Sequence, residues 1–272
     1  MGFTMGKVQS ADGTTICFDT WGAGQPLVLV DGATGHRAAS PLHGQLGELL
    51  GDEFTVYAYD RRGRGESDDT APYAVQREVE DLAAVIADAA EPAIVCAFSS
   101  GAILALDAAA AGLPIARLAL FEPSFLVDGS RPPLPADYVE RLEASIAAGR
   151  PGDAAELFLT AAIRLPAEAV AGVRQSPFWP ALEAVARTIS YDGRIVGTTM
   201  SGRPLPADRW ETISAPTLVL YGRGTEPWLI SGANAIADLL PTATAQSVAG
   251  EQHTVTAEVL APVLRRFAAG EQ

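Results

Sequence analysis

Ala93-Ile-Val-Cys-Ala-Phe-Ser-Ser-Gly-Ala-Ile-Leu-Ala-Leu-Asp-Ala-Ala-Ala-Ala-Gly112 joins two unlike patterns with almost nothing between them. From Ala93 to Phe98 the chain is apolar without alternation, which predicts a strand covered on both faces, as in a parallel sheet. Residues 100–111 are apolar nearly all round and stop at Gly112, which predicts a buried helix with a glycine just past its end. A buried strand that turns straight into a buried helix is the repeating unit of an α/β fold.

Similar apolar runs stand at 27–30, 54–59, 118–121 and 217–221, and 243–248 is expected as the last strand. Helical patterns lie between them. Val75, Val79, Leu82 and Ile86 line one helical face, and Val259, Val263 and Phe267 mark a final helix. Strand-helix alternation of this kind predicts an open parallel sheet. The alternation is interrupted over 123–214, where the pattern is helical only, near 136–148, 153–163, 167–173 and 179–189. Its entrance, Arg131-Pro-Pro-Leu-Pro135, is proline-rich, and 193–206 is rich in Gly, Pro and Thr. The sheet pattern resumes afterwards. Residues 1–122 and 215–272 are therefore expected to form one core domain, with 123–214 inserted as a helical cap.

With 48% hydrophobic and 19% charged residues, the chain has material for a substantial core and too little charge for disorder. A net charge of −14, with Lys7 the one lysine, argues against a phosphate backbone or an anionic lipid surface as partner. A small molecule is the expected partner, with no nucleic acid and no membrane; oligomeric state is not legible. Met1–Gly6 lacks the apolar segment of a secretory signal, and no run approaches the ~18 apolar residues of a membrane helix. These features point to the cytoplasm. Cys17 and Cys96 fit neither a disulfide framework nor a metal spacing, and both are expected as buried core thiols.

The turn at Ala97-Phe98-Ser99-Ser100-Gly101 carries the chemistry. A sharp strand-to-helix turn strains its central residue and brings other chain segments close two positions before and after, where only small side chains fit. Ala97 and Gly101 satisfy this around Ser99; centring the turn on Ser100 would put Phe98 in a crowded position. At the helix start, the Ser100 backbone N–H is free to donate to an oxyanion. Two further segments follow earlier strands: Leu29-Val-Asp-Gly-Ala33, and Tyr59-Asp-Arg-Arg-Gly-Arg-Gly-Glu-Ser67.

In order and spacing these three segments resemble the α/β-hydrolase superfamily. The pattern of Asp60, Arg62, Gly63, Gly65 and Ser67 resembles its cofactor-independent esterase and peroxidase-like branches. The resemblance spans the chain and implies a mostly parallel eight-stranded sheet with helices on both faces, an inserted helical cap and no cofactor. It makes Ser99 the nucleophile and the Ala33 and Ser100 amides the oxyanion hole. It leaves Arg61, Arg62 and Arg64 a structural part in a turn. The chain departs from the family at Asp31-Gly32, where His-Gly is usual; Asp31 is expected to cap its own loop.

Of three histidines, only His253 lies after Ser99, in Gly250-Glu-Gln-His253, where the family carries its general base. His36 is expected in loop structure and His43 in the first helix, and the spacings do not suit zinc; no metal site is expected. The acid is displaced. Relatives show Gly-x-x-Asp after the seventh strand; here Gly222-Arg-Gly-Thr225 puts a threonine in that place. Two carboxylates can substitute. Glu122, at the end of the sixth strand where some relatives hold their acid, comes first, and Glu226, one residue late, is the alternative. The resemblance implies hydrolysis of an ester, thioester or lactone of an apolar small molecule through an acyl-enzyme. Its rivals are a non-hydrolytic enzyme on the same fold (lyase, cyclase, cofactor-free peroxidase or oxygenase) and a ligand-binding protein. The aromatics Phe178, Trp179, Trp210 and Trp228 suit an apolar pocket or, for most of them, the cap's own core. No arginine is assignable to a substrate carboxylate.

Overall fold

Within Gln25–Val30, Leu27 and Leu29 enter one apolar cluster while Val28 and Val30 enter the other. Ala93–Phe98 divides in the same way, Ile94 and Cys96 against Val95 and Ala97. Continuous hydrophobicity is thus the signature of strands with a helical layer on each side, where burying one Leu or Val contributes about 1.5–3 kcal/mol.

The computed structural model describes residues 2–271. Its strands are β1 Thr4–Gln9, β2 Thr15–Trp21, β3 Gln25–Val30, β4 Phe54–Tyr59, β5 Ala93–Phe98, β6 Ile115–Phe121, β7 Thr217–Gly224 and β8 Ala243–Glu251. They form one eight-stranded sheet in the order β1-β2-β4-β3-β5-β6-β7-β8. β2 is antiparallel to both β1 and β4, and every other neighbouring pair is parallel. The helices are α1 Pro41–Leu50, α2 Val75–Asp88, α3 Ser100–Ala110, α4 Tyr138–Ala147, α5 Pro151–Leu157, α6 Ala167–Arg174, α7 Trp179–Val185, α8 Ile189–Val196, α9 Pro227–Leu239 and α10 Ala257–Ala268. α1 and α10 cover one face through Leu46, Leu50, Leu260 and Leu264. α2, α3 and α9 cover the other through Leu82, Val85, Ile103, Leu106 and Ile236. The mostly parallel α/β sheet implied by the resemblance is present.

Several elements differ from the expectation. β1 and β2 lie at the edge of the sheet, β1 largely exposed, and lack the apolar run of a central strand. Helix α8 runs into the stretch rich in Gly, Pro and Thr: at Gly193 a side chain would sit 2.9 Å from Val139 Cγ2, so the glycine serves close helix packing. The helix ends where Gly197 takes φ +49°. The pattern over 153–163 divides into α5 and a π-helical turn, Phe158–Ala162. Cys96 is buried, but Cys17 is only half-buried, its thiol donating to the Glu66 carbonyl (3.3 Å).

Between β6 and β7 the chain forms helices α4 to α8, and Tyr138, Leu142, Leu159, Trp179 and Leu182 build an apolar cluster apart from the two beside the sheet. Trp210 is not in that cluster. It is fully buried against Phe125 and α3, its indole N–H donating to Asp107 (2.9 Å). Parallel strands need a crossover, and the segment around Trp210 provides the return to β7. Among the described residues no helix is long and apolar enough to cross a membrane. The expectations at the termini that involve Met1 and Gln272 lie outside the described residues.

Candidate active site

Ser99 stands between the last residue of β5 and the first of α3, with φ +55° and ψ −122°. Such a conformation costs a non-glycine residue about 1–3 kcal/mol and persists only where its surroundings enforce it. They do so here. The Ser99 N–H donates to the Phe121 carbonyl on β6 (3.0 Å). A side chain at Gly101 would lie 2.3 Å from the Asp31 carbonyl oxygen, and one at Gly32 would lie 2.7 Å from Ser99 Cβ. The small residues around the turn are therefore a steric requirement. The Ser99 hydroxyl is hydrogen-bonded to that of Ser124 (2.9 Å). At the first position of α3, the Ser100 N–H has no carbonyl within the helix to receive it.

Glu122 follows β6 with φ +44° and is completely buried. Its Oε1 accepts the Gly222 N–H (2.8 Å) and its Oε2 faces His253 Nδ1 (2.5 Å). Two hydrogen bonds thus replace the water that a buried carboxylate loses. His253 comes from the turn after β8, where Gln252 (φ +49°) and His253 itself (φ +61°) are both left-handed. Its ring is about one-third exposed and lies near Phe121. Glu226 is elsewhere in role: it is exposed at the start of α9, and its carboxylate accepts the Trp228 indole N–H. Thr225 is buried, its hydroxyl without a partner.

Ser99, Ser100, Ala33 and His253 line one cavity of about 890 Å³, with Glu122 behind His253. His36 lies outside its wall. Phe98, Phe121, Leu134, Tyr138, Phe158 and Ile189 make much of that wall apolar. Of the four aromatics singled out in the sequence, Trp228 alone lines it: Phe178 is exposed, and Trp179 belongs to the insertion's own cluster. Among the described residues no group of three or more His, Cys, Asp or Glu is arranged to hold a metal ion.

Asp31 does not cap its loop. Its Oδ1 pairs with His43 Nε2 (3.0 Å) on α1, while Oδ2 and His43 Nδ1 are buried without partners. The pairing draws the carboxylate toward α1. The buried arginines of the 60–67 turn need counter-charges, and they find them far along the chain. Arg61 holds Glu78 in two hydrogen bonds (2.6 and 2.8 Å), and Arg62 holds Asp81 and Asp12. Asp192 on α8 accepts from Arg61 (2.7 Å), Arg64 (2.5 Å) and the Ser100 hydroxyl (2.7 Å). Burial alone would raise the Asp192 carboxyl, but the two guanidinium charges and the hydroxyl hold it below the usual carboxylate value. Asp192, Ser124 and Arg131, which also lines the cavity, are the site residues that sequence reasoning missed. The one available signal was arithmetic: three arginines in a tight, apolar-flanked turn demand carboxylates, without saying which.

Residues 27–263 match the model of the alpha/beta hydrolase family. The chain is 48% identical to an alpha/beta hydrolase from Sphaerobacter thermophilus DSM 20745, covering 97% of this chain and 100% of that one, with a TM-score of 0.88. The fold is also that of a thermophilic esterase from Thermogutta terrifontis, 23% identical over 98% of each chain, with a TM-score of 0.70. An esterase from Rhodococcus sp. ECU1013 is 21% identical over 98% of this chain and 99% of that one, with a TM-score of 0.67.

Proposed function

Since the chain belongs to the alpha/beta hydrolase family, we propose that it is a serine hydrolase acting on an ester, thioester or lactone of an apolar small molecule. The observation that carries this reading is the fully buried Glu122 carboxylate bonded to His253 Nδ1, beside a cavity that also holds the strained Ser99. Nδ1 must carry the proton to meet a carboxylate, which leaves Nε2 with the lone pair of a general base.

In this mechanism the Ser99 hydroxyl turns from Ser124 toward Nε2, gives it the proton and attacks the carbonyl carbon. The Ala33 and Ser100 amides hold the oxyanion, each worth about 3 kcal/mol. Glu122 stabilises the imidazolium, which hands its proton to the leaving oxygen or sulfur as the acyl bond breaks. Water then repeats the sequence and frees the acid. Residues 123–214 act as the cap that closes the apolar half of the cavity. The His43 partner of Asp31 draws its charge away from the developing oxyanion.

The test is Ser99→Ala. It is expected to abolish labelling by a fluorophosphonate probe and to lower kcat on p-nitrophenyl esters by about 10⁶. Labelling retained in that variant overturns the assignment. A burst of p-nitrophenol should precede steady turnover, and tight ligand binding with neither burst nor turnover would instead mark a binding protein.

A further inference from the structure

Arg131 enters the cavity wall from the proline-rich start of the insertion, and its guanidinium lies over the Trp228 ring at 4.5 Å. Nη2 donates to the Ala162 carbonyl (2.6 Å), and Nε is buried with no partner. Among the described residues, no carboxylate lies within 4.0 Å of it, although Arg61, Arg62 and Arg64 each hold one. Glu226 shares the cavity wall, but it is exposed, and its Oε2 accepts the Trp228 indole N–H. Burial pulls the Arg131 guanidinium below the usual arginine value; Glu226 offsets part of this, and Arg164 adds to it by repulsion. Among the described residues of a chain of net charge −14, a partly desolvated cation on the wall of this cavity, with no carboxylate in direct contact and Glu226 acting on it only at longer range, has room for a further anionic partner.

We infer that Arg131 selects the substrate by binding an anionic group, a carboxylate, on the part of the ester remote from the reacting carbonyl. The inference rests on the proposed hydrolase reading and narrows it to esters that carry a second, charged end. A planar carboxylate suits a guanidinium whose Nε is desolvated and unbonded, because it accepts in the guanidinium plane while Trp228 occupies one face. The cavity, at about 890 Å³, has room for such a two-ended molecule. Its apolar wall then holds the spacer, and Ser99 and Arg131 read the two ends.

The experiment compares mono-p-nitrophenyl glutarate with p-nitrophenyl valerate, esters of similar length that differ in the terminal carboxylate. Arg131→Gln is expected to lower kcat/KM on the glutarate ester by about 10- to 100-fold, the worth of hydrogen bonds to a charged group, and on the valerate ester by less than about 2-fold. Arg131→Lys should recover part of the loss, and melting temperatures check that the variants fold. Equal losses on both esters, or an unchanged ratio between them, overturn the inference. Should the wild type turn over neither ester, the hydrolase reading fails separately. Glutarate binding by calorimetry then decides the role of Arg131, with identical affinity in wild type and Arg131→Gln sinking it.

Discussion

Two regions face each other across the cavity, and they specify their residues in different ways. On the sheet side, Ser99, Glu122 and His253 come from the ends of three strands, and each has a left-handed backbone held by its neighbours. Side-chain direction there follows from main-chain geometry. On the helical side, α4 and α8 present Tyr138, Ile189 and Val196 to the cavity, and Arg131 comes from an irregular entrance. That wall can change residue by residue without disturbing a turn. On the proposed function, the difference teaches that reaction and selectivity are separable: the strand ends would set what bond is attacked, and the insertion whose bond it is.

The comparison is broken most severely by charge removal on the sheet side. Glu122→Gln is expected to lower kcat by up to about 10⁴, because an amide no longer stabilises the imidazolium. Glu226→Gln, at the margin between the regions, should change kcat by less than about 2-fold on a neutral ester, since a surface carboxylate contributes little. Steady-state kinetics on p-nitrophenyl esters decide this, and similar mild losses in both variants would remove Glu122 from the mechanism.

Asp192 sharpens the comparison because it is the place where the two regions are tied. It stands on the helical side and holds Arg61, Arg64 and Ser100 of the other. Asp192→Asn leaves the buried Arg64 guanidinium without its carboxylate and Arg61 with Glu78 alone, and is expected to cost about 3–5 kcal/mol in urea unfolding. The native Asp192 carboxyl titrates below its unfolded value, so its stabilisation is present above the ordinary carboxylate range, near pH ~4, and is lost as pH falls through the depressed value. The wild type should therefore lose stability below about pH 4 more steeply than Asp192→Asn. Parallel acid-unfolding curves would count against the tie.

Smaller effects probe the edges. Ser124→Ala removes the hydrogen-bond partner of the Ser99 hydroxyl, and a shift of a few-fold in kcat with little change in KM is expected. Phe178→Ala, exposed and outside the cavity wall, should leave both kinetics and stability within about 0.5 kcal/mol of wild type.

The two regions also differed in how much could be seen in the sequence. The central strands and the elbow were legible, because buried strands and tight turns restrict residue type locally, and the carboxylates that compete for the acid position followed from the family resemblance. At the periphery the restriction fails. β1 and β2 alternate or lie exposed, and α8 contains a glycine that a loop would also carry. Trp210 resembles any other aromatic of the insertion until the crossover puts it under the sheet. Asp192, Ser124 and Arg131 were hidden for another reason: their significance lies in partners far away in the chain, such as Arg61, 131 residues before Asp192. Asp31 has the same lesson, for its partner His43 sits on a helix and not in its own loop.

The left-handed turns at Ser99, Glu122, Gln252 and His253 have a thermal consequence. If each costs about 1–3 kcal/mol, the native state carries tension comparable with the entire margin that keeps a domain folded. A glycine at position 99 or 252 would relax that tension. Calorimetry of Ser99→Gly should then show a protein that melts later than its parent while turning over nothing, and Gln252→Gly one that melts later and still works.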